Sequence, residues 1–322
     1  MCGEFGGMMK RSKIIISWNE VLDTIILVLF LLSVLGFAGR FWWGLDLFSH
    51  YRVQYFQLCL IFTGVALWLR KNRRAGWIAL LACFNYAFIL PFYFGKPTPS
   101  QEPVARVMLL NLNEMGGSGE AVLKTIKTAD PDLLVLEEST PAWRENLKEL
   151  KSLFPHQASV PKEGCCGDLL LSKYPLENAR IVNLGEAGLP TIVAEAYLPI
   201  GTVSIIATHP LPPIGAEYAH LHANQLAEVP ALVHQQKYPV LLIGDLNTTP
   251  WSFSFSTLLR ASGLKNSMKG FGFQPTWPAA FPLLQIPIDH VLCSPEITIR
   301  QRAVGGDLGS DHLPLSVDFS MP

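Results

Sequence analysis

The sequence predicts an α+β protein in two unequal parts: an N-terminal region of three transmembrane helices, then a four-layer α/β/β/α sandwich. Three observations predict it. Mean hydropathy is +0.28 over 322 residues, high for a soluble chain, and the excess is crowded into the first hundred residues. Three apolar runs lie there, at 21–38, 53–69 and 75–94, each near the ~17 to 25 residues that cross a bilayer. Beyond residue 103, helical patterns alternate with strands early and strands dominate late, which suggests two sheets packed face to face with helices outside.

The apolar runs carry Trp42, Trp43, Tyr51, Tyr55, Trp68, Trp77 and Tyr93 near their ends, where amphipathic rings favour the membrane interface. Lys10, Arg11 and Lys13 precede the first run, and Arg70, Lys71, Arg73 and Arg74 fill the link between the second and third. Both stretches are expected to stay cytoplasmic. Three crossings then carry everything after Phe94 to the outer face of the membrane. A cleavable signal peptide is a competing reading of the first run, because Gly36-Phe37-Ala38 offers small residues to a signal peptidase. The two later spans would keep the same sidedness. Asp23, near an interface, is not expected to be an intramembrane functional carboxylate.

Residues 96–103, KPTPSQEP, read as a Pro-rich tether, and a compact domain is expected over 104–322. In order, the patterns predict a strand over 106–112, a Gly-containing loop and a helix over 120–129. A strand over 132–136 follows, then a helix over 141–153 with Pro141 in its first turn. Strands are expected near 169–172, 191–198 and 202–208, a long helix over 216–235 bent at Pro230, and a helix over 253–261. Strands near 288–292, 297–303 and 313–319 complete the domain.

The most informative stretch is VLLIGDLNTTPW, 240–251. Four apolar residues and Gly244 read as a buried strand entering a tight turn, which delivers Asp245 and Asn247 at its end. Residues at i and i+2 project to one side, so carboxylate and amide stand together, an arrangement suited to a metal-bound water and a phosphate oxygen. Polar residues recur after other apolar runs: Asn113, Glu138, His209, Asp289, Asp311 and His312, where sheets present chemistry to solvent.

LNLN, LVLEE, ATHP, IGDLN, IPIDHV and GSDH, in this order, resemble the endonuclease/exonuclease/phosphatase superfamily, with its deoxyribonuclease-I-like fold, over 104–322. LPP after THP, TTPWS after GDLN and PTWP before IPIDHV are similar to its membrane-anchored bacterial branch. Glu137 departs from the pattern, standing where the family usually has Gln. The resemblance implies a metal-dependent hydrolase of phosphodiesters or phosphomonoesters, using Mg²⁺ or Mn²⁺. It implies Glu138 as metal ligand, with Asn113 assisting metal and phosphate, and Asp245 and Asn247 orienting or activating the attacking water. His312 would be the catalytic imidazole held by Asp289, with Asp311 a metal-side carboxylate and His209 stabilising charge on the transition state.

His290 is assigned to strand packing, and His220, His222 and His234 to a solvated helix face, since their spacing is not that of a metal pair. Cys165, Cys166 and Cys293 fall in the outer domain, where a disulfide is permitted but unassignable from sequence. From Lys96 onward there are 16 Lys+Arg against 22 Asp+Glu, a balance of −6. Unselective nucleic-acid binding normally needs a basic surface. Expected partners are the bilayer and a phosphoester, whether a lipid headgroup, a small phosphodiester or a nucleic acid, with a nuclease less favoured by charge. The sequence indicates no specific protein partner.

Overall fold

A computed structural model describes residues 17–97, 102–113, 118–160 and 167–321. The apolar runs form helices α1 (Trp18–Leu35), α3 (Arg52–Trp68) and α4 (Asn72–Ile89), with a short α2 (Trp43–Asp46) between the first two. Ser17 and Glu20 form a reciprocal capping box at the start of α1, satisfying donors that a helix start leaves open. Among the described residues two segments, Trp18–Ala38 and Asn72–Tyr93, are long and apolar enough to cross a membrane. The run expected at 53–69 forms α3, a helix of only 17 residues, because Arg52 opens it and the chain turns sharply at 69–71 into α4.

α1, α3 and α4 pack through Leu22, Leu29, Cys59, Ala66, Ile78 and Ala82. At one end, Arg74 pairs with Asp23 at 2.8 Å. At the other, buried Arg52 lies between the rings of Phe37 and Phe88 and donates to the Ser33 carbonyl, while Asn85 Nδ2 donates to Ser33 Oγ at 2.8 Å. Ser33, Arg52 and Asn85 thereby tie the three helices together where the second domain docks.

That domain contains two six-stranded sheets. The strands are β1 (Ala105–Asn111), β2 (Leu133–Ser139), β3 (His156–Ser159), β4 (Gly167–Ser172), β5 (Leu176–Leu184), β6 (Leu189–Leu198), β7 (Gly201–Thr208), β8 (Val240–Asp245), β9 (Lys265–Asn266), β10 (Asp289–Cys293), β11 (Thr298–Val304) and β12 (Leu315–Ser320). Helices α5 (Gly119–Ala129), α6 (Pro141–Asn146), α7 (Leu150–Leu153), α8 (Ala216–His234) and α9 (Phe253–Ser262) lie between them. Val107, Leu109 and Val135 of one sheet meet Ile205, Leu241 and Ile243 of the other to form the central core. Val122, Ile126 and Trp143 cover the outside of the first sheet, and Leu226, Val229 and Phe255 cover the second.

The sheets have orders β11-β12-β1-β2-β4-β3 and β5-β6-β7-β8-β10-β9. Each centres on one parallel pair, β1 with β2 and β7 with β8, flanked by antiparallel neighbours. A helix, α5 or α8, makes each parallel crossover. The two halves therefore have equivalent wiring. The ends of β1, β2, β7 and β8 are the places where equivalent loops meet.

Three local expectations change. The helix over 141–153 splits into α6 and α7, with i→i+3 bonds such as Lys151 N to Lys148 O tightening the junction. Trp143, Leu147, Leu150 and Phe154 face the sheet with or without that break, so periodicity conceals it. Strands β3 and β5 were absent from the sequence pattern because each is an outermost strand whose residues do not alternate apolar and polar, and β5 is largely exposed. His222 is buried, not solvated, with Nε2 at 3.0 Å from the Leu246 carbonyl. It shares the inward face of α8 with Ala219 and Leu226, a placement that metal-pair spacing does not test.

The domain docks on the Arg52 end of the bundle. Trp251 Nε1 donates to the Phe88 carbonyl at 3.0 Å, the Phe253 amide donates to Asp46 Oδ1 at 2.8 Å, and Gln54 Nε2 donates to the Gln285 carbonyl at 2.9 Å. His50 Nδ1 lies 2.9 Å from Thr249 Oγ1. Arg70, Lys71, Arg73 and Arg74 lie at or beside the turn at the opposite end.

Candidate active site

The ends of β2, β7 and β8 open into one cleft of about 690 Å³, and the end of β1 meets it through the bond from Asn111 to Glu138. Its inner wall carries Glu138, His209, Asp245, Asn247, Asp311 and His312.

β8 ends at Asp245, so strand alternation does not set the position of Asn247. Instead Asn247 turns back in the left-handed region at φ 48°, and its amide donates to Asp245 Oδ1 at 2.8 Å. Its side-chain Nδ2 donates to the Pro210 carbonyl at 3.0 Å, tying the loops after β7 and β8. Gly244 permits the approach: a Cβ there would lie 2.0 Å from the Thr208 carbonyl oxygen and 2.8 Å from Glu137 Oε1.

Glu138 also has a left-handed backbone, φ 55°, at a register shift between β2 and β4. A bulge at a strand end re-aims a side chain, and backbone strain of this type collects at functional sites. Glu138 Oε1 lies 3.9 Å from His209 Nε2, whose other acidic neighbour, Asp245 Oδ2, is 3.7 Å away. The carboxylates from the two equivalent strands, β2 and β8, thus face one imidazole.

The resemblance implies Asn113 as the metal-assisting amide, and the structure brings a second amide of the same motif to Glu138. Asn111 Nδ2, buried at the end of β1, donates to Glu138 Oε1 at 3.1 Å. Asn113 Nδ2 instead donates to Asp311 Oδ1 at 2.7 Å, and Trp277 Nε1 donates to Asp311 Oδ2 at 3.1 Å. Both asparagines stand in LNLN, two residues apart, so the motif alone did not distinguish them. Trp277, in PTWP, had no assigned role.

On the facing side, His312 Nδ1 donates to Asp289 Oδ2 at 2.9 Å, leaving Nε2 3.6 Å from Asp245 Oδ2. Burial opposes the charge of His312, but Asp289 and Asp245 outweigh it and hold its pKa up at about 10. Burial pushes Asp289 upward, yet His312 and Thr276 reverse this and keep it below the usual carboxylate value. Burial pushes Asp245 up to about 8, with His312 opposing and Asp289 adding to the rise. Ligand atoms of Asp245, Asp289 and His312 lie within 4.8 Å of one another. Asp289 and the near nitrogen of His312 already engage each other, so this trio is a hydrogen-bonded relay rather than a cation cage.

Glu137, behind the site, is fully buried and accepts from the Asp245 amide at 3.0 Å. Burial and the nearby Asp168, Asp245 and Asp289 raise its pKa well above the usual value. A neutral carboxylic acid has the shape of Gln, which accounts for the departure noted in the sequence.

Glu138, Asp245 and Asp311 offer carboxylate oxygens to the cleft, a hard set that fits Mg²⁺ or Mn²⁺. His290 is buried on β10, with Nε2 2.8 Å from the Thr248 carbonyl and its ring against Phe255, as its packing role requires. Cys293 is buried and free, and Cys165 and Cys166 lie outside the described residues. The sequence reading missed His50, Tyr51, Trp43 and Leu47, which come from the helical region to line the same cleft.

Comparison with solved structures finds the same fold. An endonuclease/exonuclease/phosphatase from Beutenbergia cavernae is 20% identical, covering 68% of this chain and 72% of that chain with TM-score 0.54. D. rerio TDP2 complexed with single strand DNA product is 15% identical over 68% of this chain and 100% of that one, TM-score 0.59. The human Nocturnin catalytic domain with bound sulfate anion is 20% identical over 70% and 97%, TM-score 0.56. No curated protein matches. A profile of the Endonuclease/Exonuclease/phosphatase family matches residues 108–312. Since that match covers more than half of the chain, running from β1 to the imidazole that Asp289 holds, the chain belongs to this family.

Proposed function

We propose that the protein is a membrane-anchored, divalent-metal-dependent phosphoesterase that hydrolyses a phosphodiester or phosphomonoester by in-line attack of water. Members of the family are hydrolases of phosphoester bonds, generally using divalent metal ions. The observation that carries the reading is the convergence of Glu138 and Asp245 on His209, opposite the Asp289–His312 pair.

Glu138, oriented by Asn111 and sharing the cleft with Asp245 and Asp311, would hold the cation, which would supply charge neutralisation to the phosphoryl group. The chain's own groups do the rest. Asp245, in its ionised form, takes a proton from water as the water oxygen bonds to phosphorus and the ester P–O bond breaks. Asn247 fixes the approach of that water. Asp289 sets the His312 tautomer, presenting a charged Nε2 to the developing negative charge. His209 stands by the leaving oxygen, which departs as an alcohol with a proton from a flanking imidazole. Activity on an aryl phosphodiester, dependent on Mg²⁺ and lost in His312→Ala, tests the assignment.

Exposed apolar side chains on all three long helices, including Leu27, Phe30, Ile61, Trp68, Trp77 and Leu80, support a bundle that faces lipid rather than water. α3 lies at the lower limit of spanning length. The cationic turn and the docked domain lie at opposite ends of the bundle, which supports a catalytic domain on the extracytoplasmic side of a bacterial cytoplasmic membrane. A C-terminal phosphatase reporter that is active only when exported tests the sidedness. Nuclease activity is the second reading, favoured by the likeness to D. rerio TDP2 with its DNA product and opposed by the balance of −6.

A further inference from the structure

We infer that the substrate is an amphiphile of the membrane itself, a phosphoester carrying a long hydrocarbon chain, whose phosphate enters the acidic site while its chain lies in the apolar outer half of the cleft. The inference rests on the phosphoesterase reading and specifies its substrate class.

The cleft is divided chemically. Asp245 and His312 are buried within it, whereas Leu47 and Ile214 are exposed, and Trp43, Leu189, Pro212 and Ile286 complete the apolar lining. A volume of about 690 Å³ suits a ligand much larger than a phosphate group. Among the described residues no Lys or Arg lines it. A polyanion binds largely by neutralising several phosphates, and the described wall carries no lysine or arginine to do so. An uncharged chain needs none.

The outer half also opens at the level where the bundle would leave the bilayer. Trp43, Leu47 and Tyr51 belong to the 39–51 connection, between the C-terminal end of α1 and the N-terminal end of α3, the ends that carry the interfacial aromatics. Beside them, Gln54 in the first turn of α3 donates to the carbonyls of Leu283 and Gln285. That bond fixes the 281–284 loop at the same height, and its Phe281 and Leu283 are 62% and 78% exposed. Ile214, which lines the cleft, is 76% exposed. Apolar side chains exposed together beside a set of helix ends fit insertion into the interfacial layer. A lipid leaving the outer leaflet would meet apolar surface continuously from the bilayer to the phosphate site.

The test uses the full chain in lipid nanodiscs with Mg²⁺ and a homologous series, methyl, butyl, octyl and decyl 4-nitrophenyl phosphate, below their micellar concentrations. Each releases the same nitrophenolate, so only the chain varies. The expected result is a kcat/KM that rises several-fold with each pair of added methylenes, as burial of hydrocarbon predicts. Leu47→Arg and Ile214→Arg should flatten that rise by at least tenfold between methyl and decyl esters. Chain partition into the nanodisc would raise all proteins' rates alike, so an equally steep series in both variants overturns the inference, as does a flat series in the native protein. A single-stranded oligonucleotide cleaved faster than the decyl ester also overturns it, in favour of a nuclease. If the methyl ester is cleaved without chain dependence, only the substrate class fails; if no ester is cleaved, the phosphoesterase reading fails as well.

Discussion

His312 and Asp289, 23 residues apart, are joined Nδ1 to Oδ2 at 2.9 Å, and both are buried. The carboxylate fixes which imidazole nitrogen faces the cleft. Asp289→Asn removes the charge and reverses the hydrogen-bond preference, so kcat on an aryl phosphodiester should fall about 10²- to 10⁴-fold, with far-UV circular dichroism unchanged. His312→Ala should fall at least as far. Native-like turnover in either variant would remove this pair from the reaction.

The two asparagines of LNLN should separate. Asn111→Ala releases Glu138 and is expected to weaken Mg²⁺ activation about 10- to 100-fold, the usual effect of losing a group that orients a ligand. Asn113→Ala touches Asp311 instead and should weaken it less. Titration of activity with Mg²⁺ after EDTA treatment measures both, and the reverse order would restore Asn113 to the role the resemblance gave it.

Glu137→Gln should be stabilising above neutral pH. The folded protein holds the Glu137 pKa well above the ordinary carboxylate value of 4.5, so the native state keeps a proton that the unfolded chain gives up. The native carboxyl's contribution is therefore complete below about pH 4.5 and is lost as pH rises toward its folded pKa. The amide has no such dependence. Thermal unfolding in EDTA should give the variant a Tm higher by several degrees at pH 8, with the gap closing toward pH 4.5.

Acidification should loosen the docking of the helical region. Burial, with His222 nearby, lowers the His50 pKa to about 4, and burial also lowers that of His222. Both pKa values are depressed on folding, so stability is complete above the unfolded value near 6.5 and declines as pH falls toward 4. For His50 the loss is up to about 3 kcal/mol. His50→Gln keeps a polar group facing Thr249 and cannot protonate. Its Tm in detergent should fall less between pH 6.5 and 4 than that of the native protein; an identical pH profile would contradict this.

Gly244→Ala should disrupt the site from behind. The added methyl meets the Thr208 carbonyl oxygen at 2.0 Å, a collision between backbones of paired strands that no rotamer relieves. A loss of at least about 1–3 kcal/mol is expected, read by urea unfolding.

Much of this protein was written in local pattern. Apolar runs at 21–38 and 75–94 announced helices, and period-two alternation with apolar strand cores announced β1, β2, β6, β7 and β8, because burial acts on each element through its own residues. The strand ends that carry chemistry were equally legible, since polar residues after buried runs have few other places to go. What the tertiary structure alone decided were relations between elements. Asn111 rather than Asn113 reaches Glu138 because a bulge turns β2 at φ 55°. Polar edge strands β3 and β5 exist only through their neighbours' hydrogen bonds. The cleft wall of Trp43, Leu47 and His50, nearly 200 residues from the Thr249 that His50 meets, follows from long-range docking. Sequence periodicity records which face of an element is buried; it does not record what buries it.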